Sequence, residues 1–142
     1  MSDDSPYKTP ESDLNVVTGS SVLTLKEILF SFEGRVPRKV FWLYGVLGYI
    51  AYALLVMLII GGLTLILGEG EWIVALIIPA YIPLLWALLA INIKRWHDRD
   101  KSAWWILIGF IPLIGPLWQI IECGFLEGTR DDNRYGPQPG NY

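Results

Sequence analysis

The residue types able to do acid–base or ionic chemistry gather in one octet, Lys94-Arg95-Trp96-His97-Asp98-Arg99-Asp100-Lys101, set between two apolar runs. It holds the only histidine of the chain. His97 beside Asp98 is the one pair suited to proton transfer near a membrane face, because a carboxylate can orient an imidazole. Other chemistries lack their parts. One histidine and one cysteine, Cys123, cannot build a strong metal site, and no Gly-rich phosphate loop, zinc-type His-x-x-x-His pair or serine triad is spelled out. The reading adopted is non-catalytic, with no cofactor and no metal. In it Arg35, Arg38, Arg95, His97 and Asp98 form a hydrogen-bonded cluster that ties the first helix to the second loop, with Arg forks gripping Asp98 or a lipid phosphate.

Elements that hold such a cluster must cross or line a membrane. With 53% hydrophobic residues, the chain is too apolar to leave its long runs in water. The net charge of −3 says little about partners, because basic residues collect beside the apolar runs while acidic ones sit mainly in the tails and a short turn. The fold expected is an all-α integral membrane protein, three transmembrane helices preceded by a short amphipathic interfacial helix. Residues 1–21 are too polar to pay for ordering and read as a disordered tail without the pattern of a cleaved signal peptide. Residues 22–127 read as the membrane domain, and residues 128–142 as a polar, turn-rich C-terminal tail.

Within that domain Thr24-Leu25-Lys26-Glu27 spells a capping box, and Leu25, Ile28, Leu29 and Phe32 recur at helical spacing over about residues 24–33. This helix is too short to span and is expected at the interface. Gly34 is available for a left-handed turn, and Pro37 can open the next helix. Spans are expected at about residues 41–67, 72–93 and 103–122, each long enough to cross a hydrocarbon core of about 30 Å, the first at about 40 Å with a tilt or an extended end. Pro79 and Pro83 free backbone carbonyls near Ala75 and Pro79 that need a neighbour or water. The third run is broken by Ile111-Pro112-Leu113-Ile114-Gly115-Pro116 and has two readings, a kinked span and a re-entrant hairpin. The kinked span is preferred, because exposed hairpin backbone in lipid loses several kcal/mol per unpaired group. Lys26, Arg35, Arg38, Lys39 and Lys94, Arg95, Arg99, Lys101 flank the first two spans, and the turn Gly68-Glu69-Gly70-Glu71 carries no basic residue. Both basic clusters therefore face the cytoplasm, which puts the N-terminus inside and, with three spans, the C-terminal tail outside.

Four motifs in order give the chain a family resemblance. They are Gly34-Arg35 with Arg38 and Phe41-Trp42; Lys94, Arg95, His97 and Asp98 with Ser102 and Trp104-Trp105; Ile111 to Gly115; and Gly128-Thr129 with Asn133 and Tyr135-Gly136-Pro137. In these the chain resembles DUF805, a family of small bacterial inner-membrane proteins. The resemblance implies an inner-membrane protein of no established activity, and it adds Asn133 and Tyr135 as candidate site residues.

The function expected is that of a structural or interaction protein whose basic cytoplasmic face contacts anionic lipid headgroups, a membrane-protein partner or a second copy of itself. The alternative is a subunit of an oligomeric small-solute transporter or channel, although the spans offer few polar residues beyond Asn92, Thr64 and Gln119. An enzyme acting through His97 and Asp98 ranks below both. Nucleic-acid binding is not expected, because no basic-aromatic surface or recognition helix is present.

Overall fold

The structure, a computed structural model, describes residues 22–140, and the expected polar tail at 1–21 lies outside the described residues. Those residues form helices, with a single isolated bridge between Asn133 and Gly136. A short helix, Leu25–Phe30, opens with the capping box, the Thr24 side chain accepting from the Glu27 amide while the Glu27 carboxylate accepts from the Thr24 amide. Gly34, with φ of +87°, then turns the chain into Pro37 and the first long helix.

Among the described residues, two helices are long and apolar enough to cross a membrane, Arg38–Leu67 and Trp72–Asp98. Their large apolar side chains, among them Leu58, Leu65, Ile66 and Ile82, point outward. A core helix of a water-soluble protein would bury that stripe, so these faces suit lipid. The first helix is π-helical over Phe41–Leu47, and the second carries Pro79 and Pro83 inside it. A proline withholds one backbone donor and crowds the carbonyls of the preceding turn. The Tyr52 hydroxyl of the first long helix donates to Ala80 O at 2.8 Å, serving a carbonyl within that prolyl stretch.

The third apolar run departs from the kinked spanning helix preferred over 103–122. It is a 3₁₀ helix, Ala103–Phe110, a tight turn, and a closing helix, Ile114–Ile120, that runs on as a π-helical turn, Ile121–Phe125. The two arms lie against each other. A Cβ on Gly115 would sit 1.9 Å from Ile108 O, and at the base of the hairpin Lys101 meets Glu122 at 2.6 Å. The turn is a γ-turn in which Ile114 N donates to Pro112 O at 2.8 Å, with Leu113 at φ +66° and ψ −54°, a strained conformation for a residue with a side chain. Neither arm is as long as the helix that crosses a bilayer.

The buried core lies at the charged end of the long helices. Ile28, Val36, Val40, Phe41, Ile91, Trp96 and Cys123 form it, with Leu23 and Leu29 packed against it. It joins the short helix, both long helices and the closing segment at one end, where the candidate residues also lie.

Candidate functional site

Asp98, the last residue of the second long helix, is the centre of the polar network. Its carboxylate takes Arg35 on one oxygen, from Nε at 3.1 Å and Nη2 at 3.0 Å, and Arg95 Nη1 on the other. Arg95 stands three residues before Asp98, the spacing that puts two side chains on one helix face. Arg35 arrives from the Gly34 turn. All three side chains are buried.

The two guanidiniums also clamp backbone. Arg35 donates from Nη1 to Asp131 O at 2.9 Å and Gly136 O at 3.2 Å, and from Nη2 to Thr129 O at 2.7 Å and Thr129 Oγ1 at 2.8 Å. Arg95 donates from Nε to Cys123 O at 2.6 Å and from Nη2 to Leu126 O. Every nitrogen of both forks therefore has an acceptor inside the protein. The tail docks by its backbone as well, Thr129 N donating to Asp98 O at 2.8 Å. Gly128 passes so close to Asp98 that a Cβ there would lie 1.9 Å from Oδ2, leaving room for glycine alone.

Asn133 and Tyr135 complete the assembly. Asn133 Nδ2 donates to His97 O at 2.8 Å and Thr129 Oγ1 at 3.0 Å, and the Tyr135 ring stacks on His97 with centroids 3.8 Å apart and planes 5° from parallel. The geometry does not couple Asp98 to His97. Consecutive residues of a helix point about 100° apart, so the carboxylate turns to the arginines and the imidazole turns to Tyr135. Arg38 is outside the network on an exposed rim, 3.5 Å from Phe125 O and 3.8 Å from Glu127.

Two contacts of the site carried no sequence signal of their own. The buried ammonium of Lys94 donates to Ile28 O at 2.7 Å, Ser31 O at 2.6 Å and Glu27 O, which caps the C-terminal carbonyls of the short helix. Glu122 clasps the hairpin base, accepting from Arg99 Nε at 3.1 Å and from Lys101. Burial works to raise the Glu122 carboxyl, but Lys101 and Arg99 outweigh it and hold the group below its ordinary range. The clasp is thus ionised at neutral pH. Asn92 and Gln119 form a further tie, Gln119 Nε2 donating to Asn92 Oδ1 at 2.6 Å.

Cys123 lies fully buried under this network, and burial pushes its thiol up to about 12, with Arg95 working the other way. The folded protein should therefore leave Cys123 unmodified by N-ethylmaleimide at mildly alkaline pH and react stoichiometrically once denatured in dodecyl sulfate. Rapid modification before denaturation would show that this part of the core opens. Among the described residues, no three His, Cys, Asp or Glu side chains gather as a metal site would require.

The family described as Protein of unknown function (DUF805) matches residues 29–137, which takes in Arg35, Arg95, Asp98 and the docked tail to Gly136. The inner membrane protein YhaH of Escherichia coli K12 is 37% identical over 112 residues, covering 76% of this chain and 86% of its own length. The inner membrane protein YhaI of the same strain is 36% identical over 110 residues, with 76% and 85% covered. The uncharacterised protein YiiR, also of that strain, is 28% identical over 138 residues, with 80% and 89% covered. No solved structure matches the chain. With the family matched across both long helices, the hairpin and the docked tail, this chain belongs to DUF805.

Proposed function

We propose that the chain is a structural or interaction protein of the bacterial inner membrane. In this reading its charged end is one latched cytoplasmic platform that meets anionic headgroups or a partner. The observation that carries it is the commitment of every Arg35 and Arg95 nitrogen to Asp98 and to backbone carbonyls. A pair of forks so tied, with both side chains buried, is not presented to a substrate. What it does is fasten the tail and the hairpin base to the end of a spanning helix, and the basic side chains left exposed, such as Arg38 and Arg130, are the ones free to meet a surface.

The same reading makes the long helices the two crossings and the hairpin a re-entrant element, with the short helix at the interface. Both ends of the described chain then share the cytoplasmic side with the basic clusters, as the positive-inside rule favours. Single cysteines introduced as Glu69→Cys and Arg130→Cys in a Cys123→Ala background test this in intact cells. A membrane-impermeant maleimide should label position 69 from outside and position 130 only after the membrane is opened. Labelling of position 130 from outside would restore three crossings and remove the shared platform.

A further inference from the structure

The first long helix begins between two adjoining cavities that differ in character. One, of about 590 Å³, lies between that helix start and the docked tail, and is walled by Glu127, Thr129, Arg130 and Gln138. The other, of about 770 Å³, descends along the helix and is walled by Trp42, Leu43, Leu47 and Phe125. Arg38 and Lys39 line both. A polar chamber, a pair of cations and an apolar groove thus follow one another along the helix axis.

The groove wall is fixed rather than fluid. Trp42 Nε1 donates to Gly124 O at 3.0 Å, and the Trp42 and Phe125 rings meet edge to face at 5.6 Å. The cations at the junction are free in a way that Arg35 and Arg95 are not. Arg38 holds only the long contacts to Phe125 O and Glu127 described above, with its side chain 52% exposed, and Lys39 has no ion-pair partner among the described residues. Arg130 is 3.7 Å from the same Glu127. With the charge of Asp98 taken up by Arg35 and Arg95, the chamber sets Arg38, Lys39 and Arg130 against Glu127 alone, a surplus of positive charge. Trp42, just below Arg38 and Lys39, is the residue type that settles at the headgroup level of a bilayer.

We infer that this slot holds one anionic diacylglycerophospholipid. Its phosphate lies between Arg38 and Lys39, its headgroup hydroxyls turn into the polar chamber, and an acyl chain lies along Leu43, Leu47 and Phe125. The inference rests on the reading of this end as the headgroup-facing platform and names the ligand of that platform. It commits to a lipid over a soluble phosphate because the apolar groove continues directly from the cation pair.

The test uses the full chain reconstituted in vesicles of phosphatidylethanolamine and phosphatidylglycerol in equal amounts, extracted into mild detergent and weighed with its retained lipid by native mass spectrometry. Phosphatidylglycerol should be retained at least about fivefold over phosphatidylethanolamine, given the attraction that each surface basic residue adds. That preference should fall to parity in Arg38→Gln/Lys39→Gln, persist in Arg38→Lys, and persist in Lys26→Gln, a basic residue outside the slot. Equal retention of the two lipids by the unaltered chain, or an undiminished preference in the double variant, would overturn the proposal. So would displacement of the retained lipid by millimolar glycerophosphate, which has no acyl chain. If lipid retention is at parity while position 130 is shielded from outside, the slot fails and the platform stands. If position 130 is labelled from outside, the platform itself fails.

Discussion

Asp98→Asn is expected to lower folding stability by about 3–5 kcal/mol, the range for removing one partner of a buried ion pair. The substitution keeps the side-chain shape but withdraws the charge that two buried guanidiniums share. It also turns an amide NH₂ toward donors, so one fork loses its acceptor outright. The loss spreads beyond the carboxylate. Arg35 and Arg95 position the carbonyls of Cys123, Leu126, Thr129, Asp131 and Gly136, so the tail and the hairpin base should loosen together. Unfolding followed by tryptophan fluorescence in mixed detergent and dodecyl sulfate micelles measures the midpoint. Limited proteolysis reports whether the segment after Gly124 is released first. Glu127→Gln provides the contrast, because its ion pairs lie on the exposed rim at 3.7 and 3.8 Å, where such pairs contribute about 0–1 kcal/mol. An Asp98→Asn midpoint no lower than that of Glu127→Gln would mean that the latch does not hold this end together.

Most of what could be read from the sequence was local, and most of what could not was a contact between distant segments. Thr24 and Glu27 announce their helix start because both halves of the box are three residues apart. The two long helices announce themselves by apolar length. The clustering of Arg35, Arg95 and Asp98 was legible because buried charge beside a membrane has few other resting places. His97 and Asp98, the one pair in the sequence suited to proton transfer, are not coupled, since neighbours in sequence diverge on a helix. The capping of the short helix by Lys94 was invisible, because it depends on how that helix docks. For the third run the sequence favours a kinked span on an energetic argument, that a hairpin in lipid leaves backbone unpaired. The hairpin arms in the structure are helical and bond internally. Its turn is closed by Ile111 N to Ile108 O, Ile114 N to Pro112 O and Gly115 N to Ile111 O. Leu113 at positive φ stands where a glycine would have marked the reversal.

Gly115→Ala should be the most damaging glycine substitution in the hairpin, and a graded set of alanines shows why. At Gly115 the new Cβ would lie 1.9 Å from Ile108 O, 2.9 Å from Ile108 C and 3.0 Å from Gly109 Cα, all backbone atoms. No rotamer relieves such a contact. The arms must part, stretching the Asn92–Gln119 bond and the Lys101–Glu122 clasp that close the hairpin against the second long helix. The loss should reach or exceed the upper end of the about 1–3 kcal/mol typical of overpacking. At Gly124 the nearest atom, 2.9 Å away, belongs to the Trp42 ring, a side chain rather than backbone, so that alanine should be milder. At Gly61 nothing lies within 4 Å, and alanine there should be neutral or should stabilise the first long helix by up to about 1 kcal/mol from helix propensity. Unfolding midpoints in one detergent should therefore rank Gly61→Ala above Gly124→Ala above Gly115→Ala. A Gly115→Ala midpoint matching that of Gly61→Ala would mean that the two arms are not packed there. The third run would then be free to cross the membrane as one helix, taking the tail away from Asp98.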